Sequence, residues 1–163
     1  MSKPIEIYLD VETNWWRELT VIGFRSSITG TVQLVGSEIT ARRLRKELPS
    51  DGRLFTYNGQ CFDVSCIRNQ LGLDLLSRFE SFDLRWVCQR IGLKGGQKRI
   101  ERRIGFRRKL SELDGLDAIR LWRHYERGDH DALARLLRYN AEDLAGLIRI
   151  KRYLSVRGLF SNP

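Results

Sequence analysis

At 163 residues, with 42% apolar and 30% charged side chains, the chain has the make-up of one compact domain with a sizeable core, spanning residues 1–163. Its 29 Lys and Arg against 20 Asp and Glu give a net charge of +9 and a pI of about 9.9, which favours polyanionic partners, nucleic acid ahead of a membrane surface. No uncharged run is long enough for a membrane span and no apolar signal core follows Met1, so the expected location is cytoplasmic.

An apolar, β-prone run over residues 5–11 predicts the first strand. Two more follow over 19–24 and 31–35, joined by Ser-Ser-Ile-Thr-Gly hairpin chemistry, so the first three strands form an antiparallel meander. Ser37 is placed to cap a helix through Leu48, which Pro49-Ser50-Asp51-Gly52 ends. A fourth strand over 53–57 runs into Asn58-Gly59 and a helix over 62–71. A brief fifth strand around Phe82 precedes a helix over 84–91. Residues 94–109 then carry eight Lys or Arg and one acid, Glu101, a local net charge of +7 that leaves +2 for the rest of the chain. Helices over 116–127 and 131–154 complete the pattern, separated by Gly128-Asp129, and residues 161–163 are expected to fray. The order predicts an α/β fold with a mixed sheet flanked by helices on both faces. Cys61, Cys66 and Cys88 form no C-x-x-C pair, and His124 and His130 have no partner at ligand spacing. The cysteines read as small buried hydrophobes in a reducing compartment, without disulfides or a structural zinc.

Within the first strand, Asp10 and Glu12 stand two residues apart and therefore share a face. Like charges that close repel unless a cation lies between them. The same spacing also suits a solvated strand end, so other carboxylates must decide. Asp63 opens a helix directly after a strand; a first-turn acid facing free N–H groups accounts for it as readily as a ligand does. In the last helix, at ~100° per residue, Leu133, Leu137, Leu144, Leu147 and Ile148 make the buried stripe. Tyr139 and Asp143 fall together on its shoulder, Asn140 points into it, and Glu142 lies on the solvated face. A buried Asn needs hydrogen-bond partners, so Asn140 is expected to tie this helix to the sheet.

Taken together, Asp10-x-Glu12, Asn58-x-x-x-Phe62-Asp63 and Tyr139-x-x-x-Asp143 resemble the three exonuclease motifs of the DEDD superfamily in its tyrosine-bearing (DEDDy) branch. The Tyr-Asn-x-x-Asp ending and the helical insert before it are most similar to the YprB-type ribonuclease H-like exonucleases. The resemblance spans residues 5 to about 155. It implies a ribonuclease H-like fold with a five-stranded sheet of order 3-2-1-4-5, and metal-dependent removal of nucleotides from the 3′ end of single-stranded nucleic acid, DNA slightly ahead of RNA.

That chemistry needs an activated water, in-line geometry and relief of charge on the leaving oxygen, which two divalent ions about 3.5–4 Å apart supply. Mg²⁺ or Mn²⁺, preferring carboxylate oxygens, would be the cofactors. By the resemblance, Asp10 bridges both ions, Glu12 and Asp143 complete one site, and Asp63 serves the other. Tyr139 orients the attacking water; a free phenol titrates near ~10 and stays protonated at neutral pH. Thr13, Trp15, Trp16 and Asn58 are the candidates for holding the terminal nucleotide, an exposed indole being a platform for a base. Arg102, Arg103, Arg107 and Arg108 are the candidates for a phosphate track. The other readings are a non-catalytic nucleic-acid-binding module of the same fold, a structure-selective endonuclease, and an interaction subunit of a larger assembly.

Overall fold

The computed structural model describes residues 3–160, so the fraying expected at 161–163 and the start at Met1 lie outside the described residues. Its centre is strand β1, Glu6–Thr13. To one side β1 pairs antiparallel with β2, Leu19–Ser26, which pairs antiparallel with β3, Gly30–Val35. To the other side β1 pairs in parallel with β4, Arg53–Thr56, which pairs in parallel with β5, Glu80–Asp83. The resulting order is β3-β2-β1-β4-β5, as the resemblance implied.

Strand periodicity sends alternate residues of β1 to opposite layers. Ile7, Leu9 and Val11 join Ile22, Phe24 and Leu54 in a core roofed by two helices, α1 (Ala41–Glu47) and α2 (Asp63–Leu71). Tyr8 faces the other way, stacking on Phe55 at 5.3 Å between ring centres. There it meets α3 (Leu84–Arg90), α4 (Gln97–Arg103) and the long α6 (His130–Val156). Asp10 and Glu12 are in register with Tyr8 and so point to this second layer, toward α6. A third cluster packs α5, Gly115–Glu126, against α6 around Trp122, Leu136 and Val21.

Three elements depart from expectation. The helix expected from Ser37 is split: Gly36–Glu38 makes a single 3₁₀ turn, and α1 starts four residues later. Thr40 is the residue that caps it, its side chain accepting the Arg43 N–H, a role Thr fills as Ser does. The basic segment contains α4, which buries Ile100 and Glu101. Cys61 is exposed in the turn before α2, whereas Cys66 and Cys88 are buried as expected. Among the described residues no helix is long and apolar enough to cross a membrane.

Two glycines permit close approaches that position the site. A Cβ on Gly23, the β2 residue opposite Asp10, would lie 1.9 Å from Asn140 Oδ1. A Cβ on Gly146 would lie 1.8 Å from Glu101 Oε1. Glycine inside a helix costs about 0.5–1 kcal/mol relative to alanine. At Gly146 that cost gives the Glu101 carboxylate its place against α6.

Candidate active site

Asp10, Glu12 and Asp143 come together from β1 and α6, with one carboxylate oxygen of each within 4.8 Å of the others. These three and Tyr139 line a cavity of about 320 Å³ with Thr13 and Phe62. Gly115 and Ile119, from the start of α5, also line it. Tyr139 and Asp143, one helical turn apart on α6, both face this cavity. Asp63 is outside this trio and outside the cavity lining; its Oδ1 accepts the Val11 N–H at 2.9 Å, which holds the carboxylate beside β1.

Asp10 and Asp143 are held from behind. Asn140, fully buried, donates to Asp10 Oδ2 at 2.8 Å and accepts from Gln33 Nε2 at 2.9 Å, tying α6 to both β1 and β3. Asp143 is paired with Arg108, Nη2 to Oδ1 at 2.6 Å. The same guanidinium donates through Nη2 to Glu101 Oε1 at 2.7 Å and through Nε to Oε2. Gln97 Nε2 donates to Glu101 Oε1 at 2.9 Å and to the Asp143 carbonyl at 2.7 Å. Glu142, expected to be solvated, accepts the Lys109 and Leu110 N–H groups and anchors the loop that brings Arg108 in.

Withdrawal from water, followed by the charge of Asp143 and the other acids, pushes the Asp10 and Glu12 carboxyls well above the usual range. Burial raises Asp63 to about 7 despite the Val11 N–H, and raises Asp143 to about 6 against the opposing pull of Arg108. Burial and the neighbouring acids likewise lift the Tyr139 phenol above its ordinary value, so it is protonated at neutral pH.

This donor set fits a hard divalent cation. Three carboxylates converge with their negative charges uncompensated by one another, and buried Glu12 Oε1 has no hydrogen-bond partner. A buried acceptor left unsatisfied is costly, and a hard divalent cation is one partner that carboxylate oxygens take.

The remaining expected site residues are placed unevenly. Trp15 and Trp16 are 59% and 78% exposed in the turn after β1, where Asn14 accepts the Trp16 and Glu18 N–H groups. Asn58, in a left-handed conformation, donates its N–H to Asp83 Oδ1 and accepts from Arg85 at 2.7 Å, so its side chain pins a turn and lines no part of the acidic cavity. Arg102, Arg103 and Arg107 are exposed. Arg108 corrects the expectation: its side chain is only 3% exposed, because Glu101 and Asp143 need a counter-charge inside the fold. Lys98 escaped the sequence reading. Its Nζ lies 4.7 Å from the Tyr139 ring centre and has no hydrogen-bond acceptor, and burial beside Arg108 lowers its pKa. No periodicity in a basic run marks which cation turns inward.

A family model described as the RNase_H superfamily matches residues 7–155. Among solved structures, the family B DNA polymerase from the hyperthermophilic archaeon Pyrobaculum calidifontis is similar in fold, with a TM-score of 0.72 and 14% identity. The match covers 94% of this chain and 25% of the polymerase, so the chain spans about a quarter of that protein's length. No curated protein matches the sequence.

Proposed function

Because this chain belongs to the RNase H superfamily, we propose that it is a metal-dependent nuclease of the DEDDy, YprB-like type, removing nucleotides from the 3′ end of single-stranded nucleic acid. The observation that carries the reading is the meeting of Asp10, Glu12 and Asp143 within 4.8 Å, in a cavity that also holds Tyr139. The likeness to part of a DNA polymerase and the net charge of +9 support a nucleic-acid substrate, DNA slightly ahead of RNA.

Asp10, Glu12 and Asp143 would hold the cation, with Asp63 at the second position. A bound divalent ion supplies Lewis acidity and a lowered water pKa. The chain's own residues supply position. Asn140 fixes the Asp10 carboxylate, Val11 N–H fixes Asp63, and Arg108 fixes Asp143. Preorganised ligands cost no rearrangement when substrate arrives. Tyr139, held protonated, donates a hydrogen bond that orients the attacking water instead of removing its proton.

The test is 5′-labelled single-stranded DNA and RNA incubated with Mg²⁺ or Mn²⁺, wild type beside Asp10→Ala and Asp143→Ala. A ladder shortening from the 3′ end, absent in both variants, is the expected result. Internal cuts would make the protein an endonuclease, and activity surviving both substitutions would refute the site.

A further inference from the structure

A second basic surface runs away from the acidic cavity. Between α4 and the loop after it lies a cavity of about 460 Å³ whose cationic walls are Lys98, Arg102, Arg107 and Arg108. Glu101 is the acid in that wall, and Arg108 already occupies both of its oxygens. A further cavity, of about 470 Å³, lies along the end of α6 and is lined by Arg149, Arg152 and Arg157 with no acid. Gly105 and Phe106 line both, so the two cavities adjoin the same turn.

The near end carries two unmet demands. Lys98 Nζ and Arg108 Nη1 are both shut off from water without a hydrogen-bond acceptor. Arg108 is matched in charge by Glu101 and Asp143, so the exposed Arg102 and Arg107 are the cations this end offers to a strand. At the far end the three arginines are exposed and repel one another with no acid between them. A line of cations along a groove with no acid in its lining suits a chain of phosphates.

We propose that these two cavities act as one groove, an extended binding site for the backbone of a nucleic-acid strand, leading from Arg102 and Arg107 along α6 to Arg157. The identity of the strand end placed at Asp143 rests on the nuclease reading; the groove itself does not. From Asp143 to Arg157 the helix advances about 21 Å at ~1.5 Å per residue. Such a span engages several nucleotides beyond the one at the acids. Binding therefore strengthens with strand length.

The experiment is fluorescence anisotropy in EDTA on Asp10→Asn protein, with labelled oligonucleotides of about three and about fifteen nucleotides. The longer strand is expected to bind at least about tenfold tighter at low salt. Adding Arg152→Ser and Arg157→Ser shrinks that advantage to under about threefold and lowers the salt slope by about 1.4, at ~0.7 per neutralised phosphate of a single strand. Arg152→Glu alone, which spares the Arg157 contact with Tyr153, moves the ratio in the same direction. Equal affinity for both lengths, or an advantage that survives both variants, overturns the proposal. So does competition by polyglutamate as effective as that by an oligonucleotide of equal charge. Failure of the wild-type protein to cleave any strand would sink the nuclease reading while leaving the length dependence intact.

Discussion

Arg108 Nη2 lies 2.6 Å from Asp143 Oδ1, so an arginine from the basic segment is the fixed counter-charge of an acid in the candidate metal site. Its other partner, Glu101, is 1% exposed. Removing one member of a buried pair leaves the other charged and desolvated, which costs about 3–5 kcal/mol. Arg108→Leu is expected to lose that much stability in urea unfolding. Adding Glu101→Gln removes one of the two stranded charges, so the double variant should be more stable than Arg108→Leu alone. Additive losses would show that the bridge does not carry the energy.

Gly23 and Asn140 make a second coupled pair. An alanine methyl at position 23 would collide with the Asn140 amide, 1.9 Å from Oδ1, and would push it off Asp10. Gly23→Ala should destabilise by about 1–3 kcal/mol, the usual cost of overpacking. In an Asn140→Ala background the space is open and the same change should cost much less. Melting temperatures of the four proteins close this cycle, and equal effects in both backgrounds would contradict the packing argument.

Much of this architecture could be read from residue order. Alternation in β1 and the hairpin chemistry after Phe24 specify the antiparallel half of the sheet, and the phase of α6 puts Tyr139, Asn140 and Asp143 on the faces they occupy. What stayed hidden depends on contacts between distant segments. Arg102 and Arg108 are alike as residue types in a charge run, yet only Arg108 finds Asp143, thirty-five positions on, and turns inward. Asn58 read as a site residue because it opens the second motif, but the demands of a left-handed turn and Asp83 claim it first. Nothing in residue order marks Arg149, Arg152 and Arg157 as neighbours of the Gly105–Phe106 turn, which lines a cavity with them.

The acids also set a pH dependence for the metal-free protein. Asp63 titrates at about 7 and Asp143 at about 6 in the fold, against ~3.9 in an unfolded chain. The folded state therefore binds more protons between these limits. Their contribution to stability is fully present below pH ~4 and is lost as pH rises through 6 and 7. In EDTA the melting temperature of the wild type should fall relative to Asp63→Asn as pH is raised across that window. Mg²⁺ or Mn²⁺ should restore it at the alkaline end, since a ligand that binds only the folded state stabilises it. A wild-type advantage that grows with pH in EDTA would reverse the sign of the argument.

Tyr139 separates orientation from proton removal. Its phenol is buried beside Asp143, Glu12 and Asp10, and all three acids, together with burial, oppose ionisation. A group held protonated can donate a hydrogen bond but cannot act as a base. Tyr139→Phe keeps the ring that packs beneath Lys98 and deletes only the hydroxyl. Because misplacing a reactant by about 1 Å can cost on the order of a hundredfold, kcat should fall by about that factor. Metal affinity, measured calorimetrically, should change little, since Tyr139 supplies no carboxylate to the cluster. The wild-type rate should also show no ionisation attributable to the phenol near its ordinary value of ~10. A parallel loss of metal binding would make the tyrosine a structural support of the acids; an unchanged kcat would remove it from the chemistry altogether.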